Sequence, residues 1–417
     1  MFAALACGVL AAPQNAAASP GIQYGIQDDA WLFAGPGTFN SRLRFVQRLG
    51  VDVVRVNVRW NDIALRRPAR PTKHTDRAYR WDPADALLNG LHIHGITPIV
   101  TLVGTPRWAN GGRDPSWAPK KPADFANFAY AAAERYPYVH HWLIWNEPNK
   151  NWSLKPTTAA TYVKLLNAAY GAIKKVNPGD AVGGGVTAPR GGTGDVAPVD
   201  WIHGMRAAGA RLDAYAHHPY PIKPKETPWS GGCDACPNLT MASLDRLTAE
   251  VRRAFGSKTR IWLTEYGYQT NPPDKLLGVS EALQSRYMAD AALRAYRSPQ
   301  VDMLIYFLIR DERAVSRWQS GLFNYRNQPK RSASTFPIPI TQLSRKGAHV
   351  HLWGQIRPGK GKQAFRVRFK AGRDWRWLPG WRKTSGRGYF TLTLQLPKGA
   401  NVNVVPRGFR GIQVRLD

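Results

Sequence analysis

Two short stretches decide the fold: residues 144–148, which read IWNEP, and residues 263–267, which read LTEYG. Each continues an apolar run typical of a buried strand. Each run also ends on a glutamate, Glu147 in the first and Glu265 in the second. Ionising a carboxyl group at the end of an apolar strand is costly without a purpose. The stretches therefore predict two functional carboxylates at the ends of two buried strands.

The chain around these stretches alternates between strand-like and helix-like segments, which predicts an α/β fold. Eight apolar runs cover residues 22–27, 52–60, 97–105, 139–145, 181–186, 212–219, 260–266 and 301–308. Seven helical patterns lie between them, at 41–49, 83–94, 122–135, 157–176, 198–208, 240–255 and 280–296, and an eighth would follow Gln328. Eight such units in residues 21–340 predict a (β/α)8 TIM barrel, with Glu147 and Glu265 facing each other across its mouth.

A doubly wound open sheet is the structural alternative. It would need a glycine-rich phosphate turn after the first strand, where the chain instead reads QDDA at residues 27–30. The GGG at residues 183–185 lacks the spacing of a dinucleotide site and indicates close backbone packing.

The positive charge is concentrated near the end of the chain. The 417 residues contain 58 Lys and Arg against 28 Asp and Glu, a net charge of +30. Residues 341–417 hold 17 of these basic residues and only two acidic ones, Asp374 and Asp417. Here the apolar pattern also changes to period two, with turn clusters between short runs. We therefore predict a second domain at 341–417, a small antiparallel β-sandwich.

The first 20 residues resemble a secretory signal, with an apolar run and an A-x-A-like site at residues 16–18, although a basic n-region is missing. We therefore expect a secreted protein. No later run is long enough for a membrane span. Cys233 and Cys236 would then be the remaining cysteines, and we expect a local disulfide rather than a zinc site, because no second C-x2-C exists.

With these motifs in place, the chain resembles the retaining glycoside hydrolases of clan A, a (β/α)8 superfamily that includes cellulases, mannanases and β-xylosidases. Further matches are VRV at residues 54–56, TPRWA at 105–109 and HPY at 218–220. The resemblance implies that Glu147 is the acid/base and Glu265 the nucleophile. We expect no cofactor and no metal, because no His, Cys and carboxylate set with metal-ligand spacing is recognisable in the sequence.

Several other site residues follow from the resemblance. Arg55 and Tyr220 would hydrogen-bond Glu265, and Asn146 would contact the sugar 2-hydroxyl. His218 would bridge the carboxylates, with His217 as its rival. We expect the pKa of Glu147 to be raised by burial and by the charge of Glu265.

Aromatic residues are expected to bind the sugar rings. The family often has a tryptophan on strand eight as the floor of the −1 subsite, where this chain has LIYF at residues 304–307, so Tyr306 or Phe307 would serve. Other candidates in loops after the strands are Trp60, Trp108, Trp152, Trp229 and Trp318.

The partner predicted from these features is a carbohydrate substrate, cleaved by a monomer. The basic domain resembles small Ig-like β-domains, and an anionic cell-wall polymer is a possible partner for it. Specific nucleic-acid binding is disfavoured because an exported protein rarely meets nucleic acid. The functional alternative is a non-catalytic carbohydrate or cell-wall binding protein, which would have no need for both glutamates.

Overall fold

The computed structural model describes residues 19–415 except 234, 360 and 371, so nearly all of the signal-like segment lies outside the described residues. Eight parallel strands in chain order form a closed barrel, which confirms the predicted fold. They are β1 (Gln23–Gln27), β2 (Val53–Arg59), β3 (Thr97–Val103), β4 (His141–Ile144), β5 (Ala181–Thr187), β6 (Ala214–His217), β7 (Arg260–Tyr266) and β8 (Val301–Phe307).

Within the described residues, seven helices of ten or more residues lie where the apolar periodicity predicts them, three short helices after β1, β2 and β3 were not predicted, and all of them surround the barrel. In chain order, the α-helices are α1 (Asp29–Ala34), α2 (Phe39–Arg48), α3 (Trp60–Ile63), α4 (Asp82–Ile93), α5 (Arg107–Asn110), α6 (Pro122–Arg135), α7 (Ala159–Val176), α8 (Pro198–Ala207), α9 (Leu244–Phe255), α10 (Glu281–Tyr296) and α11 (Ser332–Thr335). Thr38, Thr158 and Ser280 cap α2, α7 and α10 by accepting a backbone N–H of the first turn. The predicted eighth helix after Gln328 is reduced to the single turn α11.

Side chains from alternate strand positions fill the interior of the barrel. Its members are Val53, Ile99, Leu143, Val186, Ala214, Ala216, Trp262, Met303 and Ile305. Trp262 is by far the largest of them, and Gly183 on β5 provides its space, because a Cβ there would lie 2.8 Å from the indole ring. The first glycine of the GGG motif therefore serves close packing, as the sequence indicates.

Residues after β8 form two antiparallel sheets, as predicted. One has the order β14-β10-β9, and in the other the path is β12-β11-β15-β16 with β13 also pairing with β11. The strands are β9 (Ile340–Lys346), β10 (His349–Gln355), β11 (Ala364–Lys370), β12 (Trp375–Trp377), β13 (Arg382–Lys383), β14 (Tyr389–Gln395), β15 (Asn401–Pro406) and β16 (Ile412–Arg415). Strand β9 is the one full-length strand that the period-two pattern did not indicate.

Aromatic contacts join the sandwich to the barrel. The ring of Tyr296, at the end of α10, lies 5.5 Å from Trp353 and 4.5 Å from Tyr389, both in the sandwich. The Arg357 guanidinium lies 3.9 Å from the ring centre of Tyr24 on β1. Trp353 and Tyr389 therefore belong to the apolar core of the barrel, whereas the interior of the sandwich forms a separate core.

Cys233 and Cys236 form the predicted disulfide, in the long segment between β6 and α9. Within residues 19–415, none of the helices combines the length and the apolar composition that a membrane span requires.

A buried ion pair connects the loops that follow β7 and β8. The Lys330 ammonium donates to Asp311 Oδ1 at 2.7 Å, to Thr270 Oγ1 at 2.9 Å and to the Gln319 carbonyl at 2.9 Å. All three of its donors are thus satisfied. The Lys330 and Asp311 side chains are only 3% and 1% exposed, so the pair is shielded from solvent.

Replacing Asp311 by alanine should lower the free energy of unfolding by about 3–5 kcal/mol, because it leaves the Lys330 charge buried and unpaired. Urea denaturation measures the change. Asp302→Ala is the control, since its ion pair with Arg260 is 36–40% exposed and should contribute at most about 1 kcal/mol. Equal effects of the two substitutions would contradict the buried role of Asp311.

Candidate active site

Glu147 and Glu265 lie together at the mouth of the barrel. Glu265 is the penultimate residue of β7, and Glu147 follows the end of β4 by three residues. One carboxylate oxygen of each, with a ring nitrogen of His218, belongs to a set of atoms that all lie within 4.8 Å of one another. The structure therefore brings the two predicted carboxylates together at the carboxyl ends of their strands.

A strained turn after β4 places Glu147. Trp145 and Glu147 have φ values of 68° and 44°, in the left-handed region that non-glycine residues adopt at a cost. Backbone hydrogen bonds to both neighbouring strands hold the turn, from Trp145 N to Leu102 O at 2.8 Å and from Glu147 N to Val186 O at 2.9 Å. The turn thus directs the Glu147 side chain toward the barrel axis instead of continuing the strand.

Arg55 on β2 is completely buried and contacts Glu265 directly. Its guanidinium also donates to Gln27 Oε1 at 2.8 Å, to Thr101 Oγ1 at 2.9 Å and to Asn146 Oδ1 at 2.6 Å. The second oxygen of Glu265 accepts a hydrogen bond from the Tyr220 hydroxyl at 3.0 Å. Arg55 and Tyr220 are therefore the two partners of Glu265 that the sequence predicts.

His218 bridges the carboxylates, and His217 points away. His218 Nδ1 lies 2.9 Å from Glu147 Oε1 and 3.6 Å from Glu265 Oε2. His217 instead contacts Thr187 and the Leu239 carbonyl. The choice that the sequence left open is thus decided in favour of His218.

The proton on His218 can be assigned from its neighbours. Burial lowers the pKa of His218 to about 3, so the ring is neutral at physiological pH. Its Nε2 lies 3.3 Å from an Arg55 nitrogen, and arginine can only donate, so Nε2 accepts. Nδ1 therefore carries the hydrogen and donates it to Glu147.

Glu147 keeps its proton to an unusually high pH. Burial raises its pKa to about 7, against the opposing charges of Lys150 and Arg55. The charge of Glu265, which the sequence analysis expected to contribute, is not among these causes. Asp195, which forms an ion pair with Lys150 at 2.5 Å, raises the pKa further.

Glu147, His218 and Glu265 are also the only described residues grouped closely enough to suggest a metal site. Arg55 argues against this use of the cluster. Its guanidinium contacts Glu265 and would lie beside any bound cation.

Solved structures of similar fold are glycoside hydrolases. A family 39 glycoside hydrolase from Bacteroides cellulosilyticus WH2 aligns with a TM-score of 0.61 and 16% identity over 93% of this chain and 81% of its own. A monomeric β-xylosidase from Caulobacter crescentus CB15 aligns with a TM-score of 0.60 and 15% identity over 94% of this chain and 97% of its own. A glucosidase from Croceicoccus marinus aligns with a TM-score of 0.62 and 14% identity over 95% of this chain and 97% of its own.

The chain has the fold of these glycoside hydrolases. The alignments cover so much of the chain that they include the sandwich as well as the barrel. No protein-family model matches the sequence, and no curated protein matches it. At these identities the likeness concerns the fold.

In this glycoside hydrolase fold, two of the predicted sugar-binding aromatics are wrong. Trp60 is only 1% exposed, because α3 turns it into the core, where it stacks on Phe128 at 5.7 Å. Tyr306 is 4% exposed and donates its hydroxyl to Ser320 O at 2.8 Å. Strand alternation directs Tyr306 toward the surrounding helices.

Phe307, the alternative on β8, lies on the barrel-interior side near the carboxylates. Its ring is 6.4 Å from that of Tyr220 and 5.4 Å from that of Trp318. Trp318 also packs on Tyr220 at 4.7 Å. Phe307 and Trp318 therefore form the aromatic wall beside Glu265.

The remaining tryptophan candidates differ in position. Trp108 is half-buried beside Trp60, donates to Ala64 O at 2.7 Å, and carries the Arg67 guanidinium on its ring. Trp152 is 59% exposed in the loop after β4. Trp229 is 39% exposed and lies against Arg294 on α10, where it lines a groove between the barrel and the sandwich.

Sequence reasoning missed Gln27 and Thr101, which hold Arg55, and Lys150, which affects the pKa of Glu147. Gln27 could have been found, because it is the last residue of β1 and strand ends carry the chemistry of this fold. Thr101 lies within an apolar strand and gives no such signal.

Removing Arg55 should cost about 3–5 kcal/mol of unfolding free energy, since it leaves the Glu265 carboxylate buried without its cation. In a double-mutant cycle measured by urea denaturation, Arg55→Met and Glu265→Gln should couple by about 1–3 kcal/mol.

The control cycle uses Arg135→Met and Asp85→Asn, whose ion pair is 27% and 23% exposed and should couple by no more than about 1 kcal/mol. Additive effects of the Arg55 and Glu265 substitutions would contradict the assigned ion pair.

Proposed function

We propose that this protein is a retaining glycoside hydrolase that cleaves O-glycosidic bonds of an oligosaccharide or polysaccharide. The observation that carries the proposal is the approach of Glu147 and Glu265 to within 4.8 Å at the ends of β4 and β7. Retaining enzymes have carboxyl groups about 5–5.5 Å apart, and inverting enzymes separate them by about 6.5–9.5 Å to admit a water. The short separation favours direct attack by one carboxylate.

The environments of the two glutamates favour different roles. Glu265 contacts the buried Arg55 guanidinium, which suits a carboxylate that attacks as the nucleophile. Glu147 holds its proton to about pH 7 and is the general acid. In the first step, Glu265 forms a bond to the anomeric carbon while the glycosidic C–O bond breaks and the leaving oxygen takes the Glu147 proton.

Water completes the reaction. Glu147, now ionised, accepts a proton from a water molecule, whose oxygen bonds to the anomeric carbon as the ester bond to Glu265 breaks. The Glu265 carboxylate returns to its contacts with Arg55 and Tyr220, and Glu147 regains its proton. The anomeric configuration is retained because it is inverted twice.

Asn146 is positioned to bind the sugar 2-hydroxyl. Because arginine only donates, the contact from Arg55 at 2.6 Å fixes the amide oxygen of Asn146 on the Arg55 side. Its Nδ2 is left to donate to the substrate. A hydrogen bond to this hydroxyl strengthens as the oxocarbenium-like transition state forms.

Export and adhesion complete the proposal. The signal-like residues 1–20 support a secreted protein, which we propose acts as a monomer. The charge of residues 341–417 supports adhesion to an anionic cell-wall polymer.

Substituting either glutamate tests the proposal. Glu265→Ala should reduce hydrolysis of aryl glycosides to background, because no covalent intermediate can form. Glu147→Gln should lower kcat/KM by about 10²–10⁴-fold on glycosides with poor leaving groups, and by less on activated aryl glycosides that need no protonation.

The control is Glu134→Gln, a half-buried glutamate that pairs with His74 outside the site. Turnover unaffected by either active-site substitution would favour the non-catalytic binding protein. Proton NMR of the first product tests retention, and an inverted anomer would refute the role of Glu265.

The pH dependence of kcat/KM should reflect the pKa of Glu147. Since the acid must be protonated, kcat/KM should fall as the pH rises through about 7. Lys150→Met removes a charge that lowers the pKa of Glu147, so the basic limb should move to higher pH. Asp195→Asn removes a charge that raises this pKa, so the limb should move to lower pH.

Lys174→Met is the matched control, because its ion pair with Asp213 lies outside the active site. Shifts in the same direction for Lys150→Met and Asp195→Asn would exclude Glu147 as the group that titrates.

A further inference from the structure

One face of the sandwich carries an ordered set of basic, aromatic and amide side chains. In register across four strands, the first row consists of Trp377, Arg368, Asn403 and Gln413. The second row consists of Trp375, Lys370, Asn401 and Arg415. Directly paired residues share a face of a sheet, and four strands span about 14 Å. We call these two rows, with Arg366 and Trp381, the basic face.

The arginines of the basic face are stacked on its tryptophans. Arg366 lies 4.4 Å from the ring centre of Trp377, and Arg368 lies 4.9 Å from Trp375 and 5.4 Å from Trp377. Stacking restricts the guanidinium plane and leaves its N–H edges to bind a ligand. Trp377 and Trp381 remain 44% and 57% exposed, so the face is open to solvent here.

Two polar atoms at the centre of the basic face have no partner. Arg368 Nε and Asn403 Oδ1 are both buried, and neither has a hydrogen-bond partner among the described residues. Asn403 is only 8% exposed. A donor and an acceptor at paired positions of β11 and β15 thus lack the contacts that buried polar atoms normally have.

The basic face continues into a groove of about 1010 Å³ between the sandwich and the barrel. Asn401, Asn403 and Arg415 line it on the sandwich side, and Leu283 and Arg331 line it on the barrel side. Leu283 lies in the first turn of α10, which begins at the end of the barrel where β7 carries Glu265. The groove therefore opens toward the catalytic end of the barrel.

We propose that the basic face binds a polysaccharide rich in uronic acid. The planar guanidiniums of Arg366 and Arg368 match a carboxylate bidentately, and the amides of Asn401 and Asn403 match sugar hydroxyls. Asp374 is the only acidic residue in positions 341–415, so the charge is complementary to an anionic chain.

Nucleic acid fits the basic face less well. Sequence-tolerant binding of single strands depends on bases stacking against open aromatic faces. Here the guanidiniums of Arg366 and Arg368 already cover faces of Trp375 and Trp377. The choice of a polysaccharide also rests on the proposed function of the barrel, whereas the test below measures binding without hydrolysis.

The test uses the full chain carrying Glu265→Gln, so that no ligand is cleaved. Calorimetric titration at physiological salt compares polygalacturonate with its methyl ester, dextran sulfate and single-stranded DNA. Polygalacturonate should bind most tightly, and the neutral ester should lose most of the affinity.

Arg366→Lys with Arg368→Lys separates specific recognition from general attraction, because it keeps both charges but removes the planar donors. Affinity for polygalacturonate should fall by about tenfold. The control, Arg407→Lys with Arg410→Lys, changes two exposed arginines in the turn after β15 and should leave affinity unchanged.

Several outcomes would overturn this proposal. They are no binding of polygalacturonate, equal or tighter binding of dextran sulfate or DNA, and lysine variants that bind as tightly as the parent. Hydrolysis by the chain with native Glu265 is measured separately, so failure of the proposed enzyme activity and failure of this binding site are distinguishable.

Discussion

The ion pair of Arg55 with Glu265 is the contact on which the rest of the site depends. Two barrel strands on nearly opposite sides of the closed sheet contribute its charges, so the barrel must close for the pair to form. Arg55 also fixes Gln27, Thr101 and Asn146. Arg55 also acts on Glu147 through His218. Because Nε2 of His218 accepts a hydrogen bond from Arg55, the proton of the ring lies on Nδ1, which donates it to Glu147. One buried cation thereby orients both carboxylates.

Much of the fold could be predicted from sequence because barrel strands are apolar on both faces. The eight runs match the eight strands, and Arg260–Tyr266 matches in both bounds. Strand-end inspection then gave Glu147 and Glu265 from chemistry alone. The predictions for Arg55, Tyr220 and His218 required the family resemblance, since no local pattern shows which polar side chains meet across a barrel.

The wrong predictions concern the direction in which a side chain points. Trp60 follows β2 as a cleft residue would, but it begins a helical turn that faces the core. Tyr306 and Phe307 are adjacent and chemically alike, so only the register of β8 against its neighbours decides which one faces the interior. The sequence pattern missed β9 because the buried residues of this strand lie at one end only. Strand β9 therefore lacks the alternation of apolar and polar residues by which a strand is identified from sequence.

The contact of the sandwich with β1 has a consequence for the order in which the chain folds. Strand β1 precedes the other barrel strands in the chain, yet it pairs with β8, and the Ile22 carbonyl beside it accepts a hydrogen bond from Arg387 at 2.8 Å. Contacts between residues 365 positions apart form late, since a long loop must close first. The barrel therefore closes only once β8 is available to pair with β1, and the Arg387–Ile22 contact holds the sandwich against the strand that closes it.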